Sequence, residues 1–162
     1  MMTDRPKFSV DEMLGSLARW LRIMGYDTIY HRDQSDTEIV NTALEEGRFL
    51  LTRDKELTFR AGDAGLFIED DEVIGQLKQV SKVLGLTLDE SLTRCTMCNG
   101  ELETIPLHEA KELVPEGALK NNDEFYRCVG CGKVYWKGSH WLDIRARLEL
   151  VDRVDAKDHT PL

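Results

Sequence analysis

The chain has no apolar run approaching the ~20 residues that a membrane-spanning helix needs; its longest hydrophobic stretches are only a few residues. No cysteine lies outside two Cys-x-x-Cys pairs, which disfavours a disulfide-stapled secreted scaffold. The opening Met1-Met2-Thr3-Asp4-Arg5 lacks the basic-then-apolar pattern of a signal peptide. The expectation is a cytoplasmic protein with no membrane partner. Basic excess is missing too. Lys and Arg number 21 against 30 Asp and Glu, a net charge of −9, which argues against coating nucleic acid by bulk electrostatics. Internal repeats and low-complexity tracts are absent, so repeat architectures are excluded.

What remains is ordinary globular composition, 41% hydrophobic and 31% charged in 162 residues. That length buries a real core but is short for two full-sized domains. The pattern starts with a short buried strand at Phe8–Val10, then a helix from about Met13 to Met24 with Leu14, Leu17, Leu21 and Met24 on one face. Gly25 stops it. Asp27–Tyr30 reads as a second strand. Ser35 opens a helix that turns Ile39, Val40, Ala43 and Leu44 inward and ends at Gly47. Arg48–Thr52 is a third strand and Leu66–Ile68 a fourth, followed by a helix over about Glu72–Leu84. Strands alternating with helices predict an α/β fold, a parallel sheet flanked by helices.

Helical periodicity stops near Leu86–Thr93, where the cysteines begin. The expected organisation is a sheet domain over 1–90, a small metal-stapled module with a C-terminal helix over 91–150, and a flexible tail over 151–162. In the module, strand signals at Glu101–Ile105 and Phe125–Arg127 flank a polar insertion. Lys133–Lys137 is a further strand signal, and Trp141–Leu150 reads as helix.

Cys95-Thr-Met-Cys98 and Cys128-Val-Gly-Cys131 are separated by 29 residues, and each pair sits in a turn followed by glycine, Gly100 and Gly132. Two such turns, each donating two sulfurs, fit one tetrahedral zinc with bonds of about 2.3 Å. Four protein ligands leave no open position, so the expected role is structural, one zinc per chain. A redox pair or an iron–sulfur cluster is disfavoured by the long gap and the two equivalent glycine turns.

Asp11 follows the first strand, Asp54 follows the third, and Asp36 opens the intervening helix. In a parallel sheet the carboxyl ends of strands share the edge where ligands bind, and carboxylates there suit hard ions such as Mg²⁺ or Mn²⁺. Each aspartate also precedes a helical pattern, and aspartate is a favoured N-cap. Ser35 with Glu38 is a capping-box signature. Spacing alone leaves cap and ligand both open.

The run from Phe8 through Asp11-Glu12-Met13-Leu14-Gly15-Ser16-Leu17-Ala18-Arg19-Trp20-Leu21-Arg22, with Gly25-Tyr26-Asp27, resembles the start of the Mut-seven C-terminal RNase family. Asp36-Thr37-Glu38-Ile39, Glu46 through Asp54, and Cys131 through Trp141 are similar to its later blocks. The resemblance covers roughly residues 7–145. It implies a PIN-like nuclease domain joined to a zinc ribbon, and metal-dependent RNA cleavage with Asp11, Asp36 and Asp54 as the catalytic acids. PIN nucleases usually offer a fourth acid; Glu12, Glu38 and Glu56 are nearest by sequence. The expected function is a Mg²⁺- or Mn²⁺-dependent ribonuclease. The alternative is a non-catalytic adaptor that binds RNA or the ribosome, or a protein partner through the ribbon.

Basic charge concentrates in 127–147, where Arg127, Lys133, Lys137, Arg145 and Arg147 face one acid, Asp143. Lys133 and Lys137, with Arg53 beside Asp54, are the candidate RNA contacts. Arg19 and Arg22, on the polar side of the first helix, are open between phosphate contact and solvated charge. Tyr135 and Trp136 alternate on a strand, so one is expected in the core and the other is open for stacking on a base. His140 is open between a catalytic role and a hydrogen-bonded packing histidine, of which packing is the commoner case.

Overall fold

A computed structural model describes residues 5–88 and 92–152. The expected domain boundary near residue 90 and the tail residues 153–162 lie outside the described residues.

The first half is a four-stranded parallel sheet between helices. β1 (Lys7–Val10) and β3 (Arg48–Thr52) are central, with β2 (Thr28–Tyr30) and β4 (Gly65–Phe67) at the edges, in the order β2-β1-β3-β4. β1 pairs β2 from Phe8 opposite Thr28, and pairs β3 from Lys7 opposite Arg48. The chain therefore leaves β1 for one side and crosses back to the other. That reversal is a topological switch point between the carboxyl ends of β1 and β3.

One sheet face is covered by α1 (Gly15–Ile23) and α4 (Val73–Leu84). Leu14, Leu17, Ala18 and Leu21 pack with Leu77 and Val80 over Phe8, Val10 and Leu51, all essentially excluded from water. The other face is covered by α2 (Asp36–Glu46) and α3 (Lys55–Ala61), through Ile39, Val40 and Ala43, with Leu57 and Ala61, over Leu50. Gly47 and Gly85 end α2 and α4 in the left-handed conformation, φ 66° and 67°.

Four local expectations are corrected. Leu44, expected inward, is 55% exposed: the inward stripe of α2 is set by Ile39, Val40 and Ala43, and one further step of ~100° carries Leu44 off it. The first helix is preceded by a 3₁₀ turn over Glu12–Leu14 rather than starting at Met13. α3 was not anticipated. Seven residues with two inward positions, Leu57 and Ala61, are too short for a clear periodic signal. The polar insertion holds two short helices, α5 (Leu107–Ala110) and α6 (Glu116–Asn121), each preceded by proline, Pro106 and Pro115.

The second half is an antiparallel sheet of β5 (Leu102–Ile105), β6 (Phe125–Cys128) and β7 (Val134–Tyr135), in that order. Ile105, Ala110 and Phe125 form its small core, with Trp136 packed against them. Trp136 is thus the core member of the aromatic pair. α7 (His140–Asp152) returns to the first half. Leu148 and Val151 join the core built by α1, α4 and the parallel sheet, so the helix straps the two halves together and residues 151–152 are helical.

Candidate functional site

The acidic edge is organised by Thr52, the last residue of β3. Its hydroxyl, fully buried, donates to Asp11 Oδ2 at 2.8 Å and accepts from the Asp54 backbone N–H at 3.0 Å. Parallel pairing of β1 and β3 is what brings Asp11 beside Thr52, since Val10 lies opposite Leu51. Asp11 Oδ1 also accepts from Glu12 N at 2.7 Å. Asp54 Oδ1 accepts from the N–H groups of Glu56 and Leu57 and caps α3. One oxygen of Asp11 is thus fixed by a side chain from the neighbouring strand, and the cap bonds of Asp54 fall on its Oδ1.

Asp36 is placed differently. It is the first residue of α2, exposed, and the cap is Ser35, whose Oγ accepts from Glu38 N at 3.2 Å. The capping box accounts for Ser35 and for the backbone of Glu38; the Glu38 carboxylate is exposed. Glu12 Oε1 accepts from Asp33 N at 3.3 Å across the turn after β2. Among the described residues, Asp11, Asp36 and Asp54 do not gather carboxylate oxygens within 4.8 Å of one another. The reason is the strand order. Asp36 follows β2 and Asp54 follows β3, with β1 between them, so two inter-strand spacings of about 4.8 Å separate their elements.

Arg53 donates to Glu69 O at 3.3 Å, linking the end of β3 to the loop after β4. Lys133 and Lys137 belong to the second half, their ammonium groups over the rings of Tyr135 and Trp141 at 5.3 and 5.2 Å. That half meets the parallel sheet at the amino ends of the strands. Asn99, in the left-handed conformation at φ 70°, accepts from Thr28 N at 2.8 Å and donates to Asp27 Oδ1 at 2.7 Å. Arg22, expected on a polar face, is buried and spans the junction. It donates to Thr28 O at 2.9 Å and to Thr96 O at 3.0 Å, and burial lowers its pKa from the ordinary guanidinium value.

Asp27 is the centre of that junction, a role that its place at the start of the expected second strand does not signal. It accepts from Arg48 Nη1 at 2.9 Å and from Asn99, with Arg94 Nη2 at 3.9 Å. Burial pushes its carboxyl up, but the hydrogen bonds from Arg48 and Asn99 outweigh that and hold it below the usual carboxylate range.

The four cysteines do converge. Their sulfurs lie within 4.8 Å of one another, with Cys95 to Cys131 at 3.6 Å and Cys98 to Cys128 at 3.4 Å. A tetrahedron with ~2.3 Å bonds has sulfurs about 3.8 Å apart, so the donor set fits zinc. Cys128 Sγ accepts from Gly130 N and Cys131 N at 3.3 and 3.4 Å. A Cβ on Gly100 would lie 2.7 Å from Cys128 Sγ, which explains glycine there. Gly132 turns back at φ 80°. Tyr135, the other aromatic of the pair, is committed here. Its hydroxyl lies 3.0 Å from Cys95 Sγ and accepts from Thr96 N at 3.2 Å. Burial pushes the Cys95 thiol up, and the hydrogen bonds from Tyr135 and the backbone bring it down to about 7. Burial with three neighbouring sulfurs pushes Cys98 up to about 12.

No helix among the described residues is long and apolar enough to cross a membrane. No curated protein and no solved structure gives a significant match. The family model described as the Mut7-C RNAse domain matches residues 6–148, nearly the whole described chain, including the acidic edge and all four cysteines. The chain belongs to the Mut7-C RNAse domain family.

Proposed function

We propose that the protein is a divalent-metal-dependent ribonuclease. Its PIN-like sheet domain carries the acid site, and its zinc ribbon, built on Cys95, Cys98, Cys128 and Cys131, is structural and helps to hold RNA. The observation that carries the reading is the Asp11–Thr52–Asp54 junction at the switch point of the parallel sheet, where open α/β sheets bind ligands.

The donors at this junction are carboxylate oxygens, the chemistry that Mg²⁺ and Mn²⁺ select. Mg²⁺ keeps several waters and takes one or two carboxylates plus substrate phosphates, so Asp11 and Asp54 suffice without a closed three-carboxylate cage. Asp36 would serve from the second coordination layer or on the substrate side, with Glu12 and Glu38 as the nearest further acids. When bound, such an ion neutralises phosphate charge and lowers the pKa of a coordinated water.

The residues themselves do the rest. Thr52 donates to Asp11 Oδ2 and the Glu12 N–H to Oδ1, so the carboxylate's orientation is fixed while each oxygen keeps a further lone pair for an ion. The N–H groups of Glu56 and Leu57 hold Asp54 Oδ1 in place, which leaves Oδ2 as the oxygen to meet an ion. Arg53, exposed beside them, is positioned to meet a phosphate oxygen.

The test is incubation of Mn²⁺-loaded protein with single-stranded RNAs, alongside Asp11→Asn and Asp54→Asn. Cleavage by the native chain that both variants lose supports the mechanism; cleavage that survives in both refutes it. The adaptor reading draws on one observation, that Asp11, Asp36 and Asp54 do not bring three carboxylates together within 4.8 Å, and would be favoured by RNA binding without cleavage at any metal concentration.

A further inference from the structure

Between α1, the cysteine sheet and α7 lies a cleft of about 250 Å³. Its walls include Arg19 from α1, Arg94, Lys133 and Tyr135 from the second half, and His140 and Trp141 from the start of α7. In a chain of net charge −9, no carboxylate lines this cleft among the described residues. Arg19 and Lys133 come from opposite sides of it, more than a hundred residues apart in sequence, and both are exposed. Arg94 is held by Asn99 O at 3.1 Å. The Tyr135 ring is fixed by its hydroxyl contacts with Cys95 and Thr96, and Trp141 is 8% exposed.

We infer that this cleft binds one nucleotide unit of single-stranded nucleic acid, its base against the aromatic wall and its phosphate between Arg19 and Lys133. Three features select this occupant. Convergent cations without a competing acid suit a phosphate. The partly exposed rings of Tyr135 and Trp136 on the cleft wall supply the stacking surface that sequence-tolerant single-strand binders use. The volume, below the ~300 Å³ at which drug-sized pockets begin, admits one unit rather than a folded element. Placement adds a fourth. α1 begins just after Asp11 and carries Arg19 and Ile23 to the cleft. A strand lying along it would cover a distance on the order of 10–15 Å to the acidic edge. The cleft thereby accounts for how an acidic protein holds a polyanion away from its own carboxylates.

The choice of a nucleotide rests on the ribonuclease reading, but its test does not. The full zinc-loaded chain is titrated with adenosine and uridine 5′-monophosphates, with inorganic phosphate, and with a Glu/Asp-rich peptide, following tryptophan fluorescence and heat. Two of the three tryptophans, Trp136 and Trp141, line the cleft. Saturable binding of both nucleotides, about tenfold tighter than phosphate, is expected from the stacking contribution. Arg19→Glu and Lys133→Glu should each weaken it about tenfold or more with zinc content unchanged. Arg19 is exposed on its helix, so its reversal leaves the core intact, and Lys133→Glu is the independent second variant. No saturation, equal affinity in both variants, or an acidic peptide that binds more tightly than the nucleotides would each overturn the inference, the last in favour of a protein partner. Nucleotide binding without cleavage of any RNA removes the catalytic reading and keeps this one. Cleavage without nucleotide binding does the reverse.

Discussion

Replacing Asp27 with alanine removes the carboxylate on which both halves of the molecule converge. Arg48, 7% exposed, loses its 2.9 Å partner and keeps Glu46 at 2.8 Å, which is itself 46% exposed and therefore screened. Asn99 loses the acceptor of its 2.7 Å hydrogen bond. Charge-assisted hydrogen bonds contribute about 1.5–3 kcal/mol each, and stranding a buried charge costs about 3–5 kcal/mol. Asp27 is 23% exposed, so water partly replaces it, and a net loss of about 2–3 kcal/mol is expected. For a chain of this size that is a fall in Tm of roughly 4–12 °C. The pH dependence is specific. Because the folded carboxyl is held below its usual range, its contribution is fully present above the unfolded value near ~3.9. It is lost as pH falls through the lower, folded value. Urea melts of native and Asp27→Ala chains should therefore differ by a constant amount from pH 7 down to about 5 and converge only well below pH 4. Asn99→Ala combined with Asp27→Ala should lose less than the two separate losses added, with a coupling of at least ~0.5 kcal/mol. A loss under ~0.5 kcal/mol, or a gap that persists unchanged below the folded value, would refute the assignment of Asp27 as the electrostatic tie.

Three further outcomes are expected. Thr52→Val, which keeps the shape and deletes the hydroxyl between Asp11 and Asp54, should lower RNA cleavage about tenfold or more for a cost of about 1–3 kcal/mol in stability; unchanged turnover would dissociate Thr52 from the acid site. Elemental analysis of the native chain should give one zinc, which Cys128→Ser should abolish, and hydrogen exchange of that variant should show loss of protection across 94–136 with β1 and β3 still protected; iron, or no metal, in the native chain would overturn the site. Leu148→Ala, emptying the contact of α7 with the first core, should cost about 2–4 kcal/mol by denaturant melts. A negligible cost would mean that α7 does not strap the halves together.

What could be read without coordinates was whatever depends on near neighbours in the chain. The four strands and the helices α1, α2 and α4 were legible because burial repeats every two or three to four residues and because Gly25, Gly47 and Gly85 end the helices. The four-cysteine cluster was legible because two residues of spacing and a following glycine already shape each turn. The same locality explains why α3 has no clear sequence signal, since seven residues carry too little periodicity, and why the pattern alone does not show that Leu44 faces outward. Position after a strand pointed to Asp11 and Asp54, and position at a helix start pointed to Asp36; how these acids lie to one another had no local signal, and the strand order sets the elements of Asp36 and Asp54 two spacings apart. Tertiary structure alone decided that Thr52 joins Asp11 to Asp54, because a parallel register pairs residues about forty apart. It also made Asp27, Arg48 and Asn99 a single junction, and drew Arg19 and Lys133 into one cleft. None of these has a local signature. Each hydrogen bond or shared wall joins side chains whose proximity is created by the packing of whole elements, so the chemistry exists only once the core has formed.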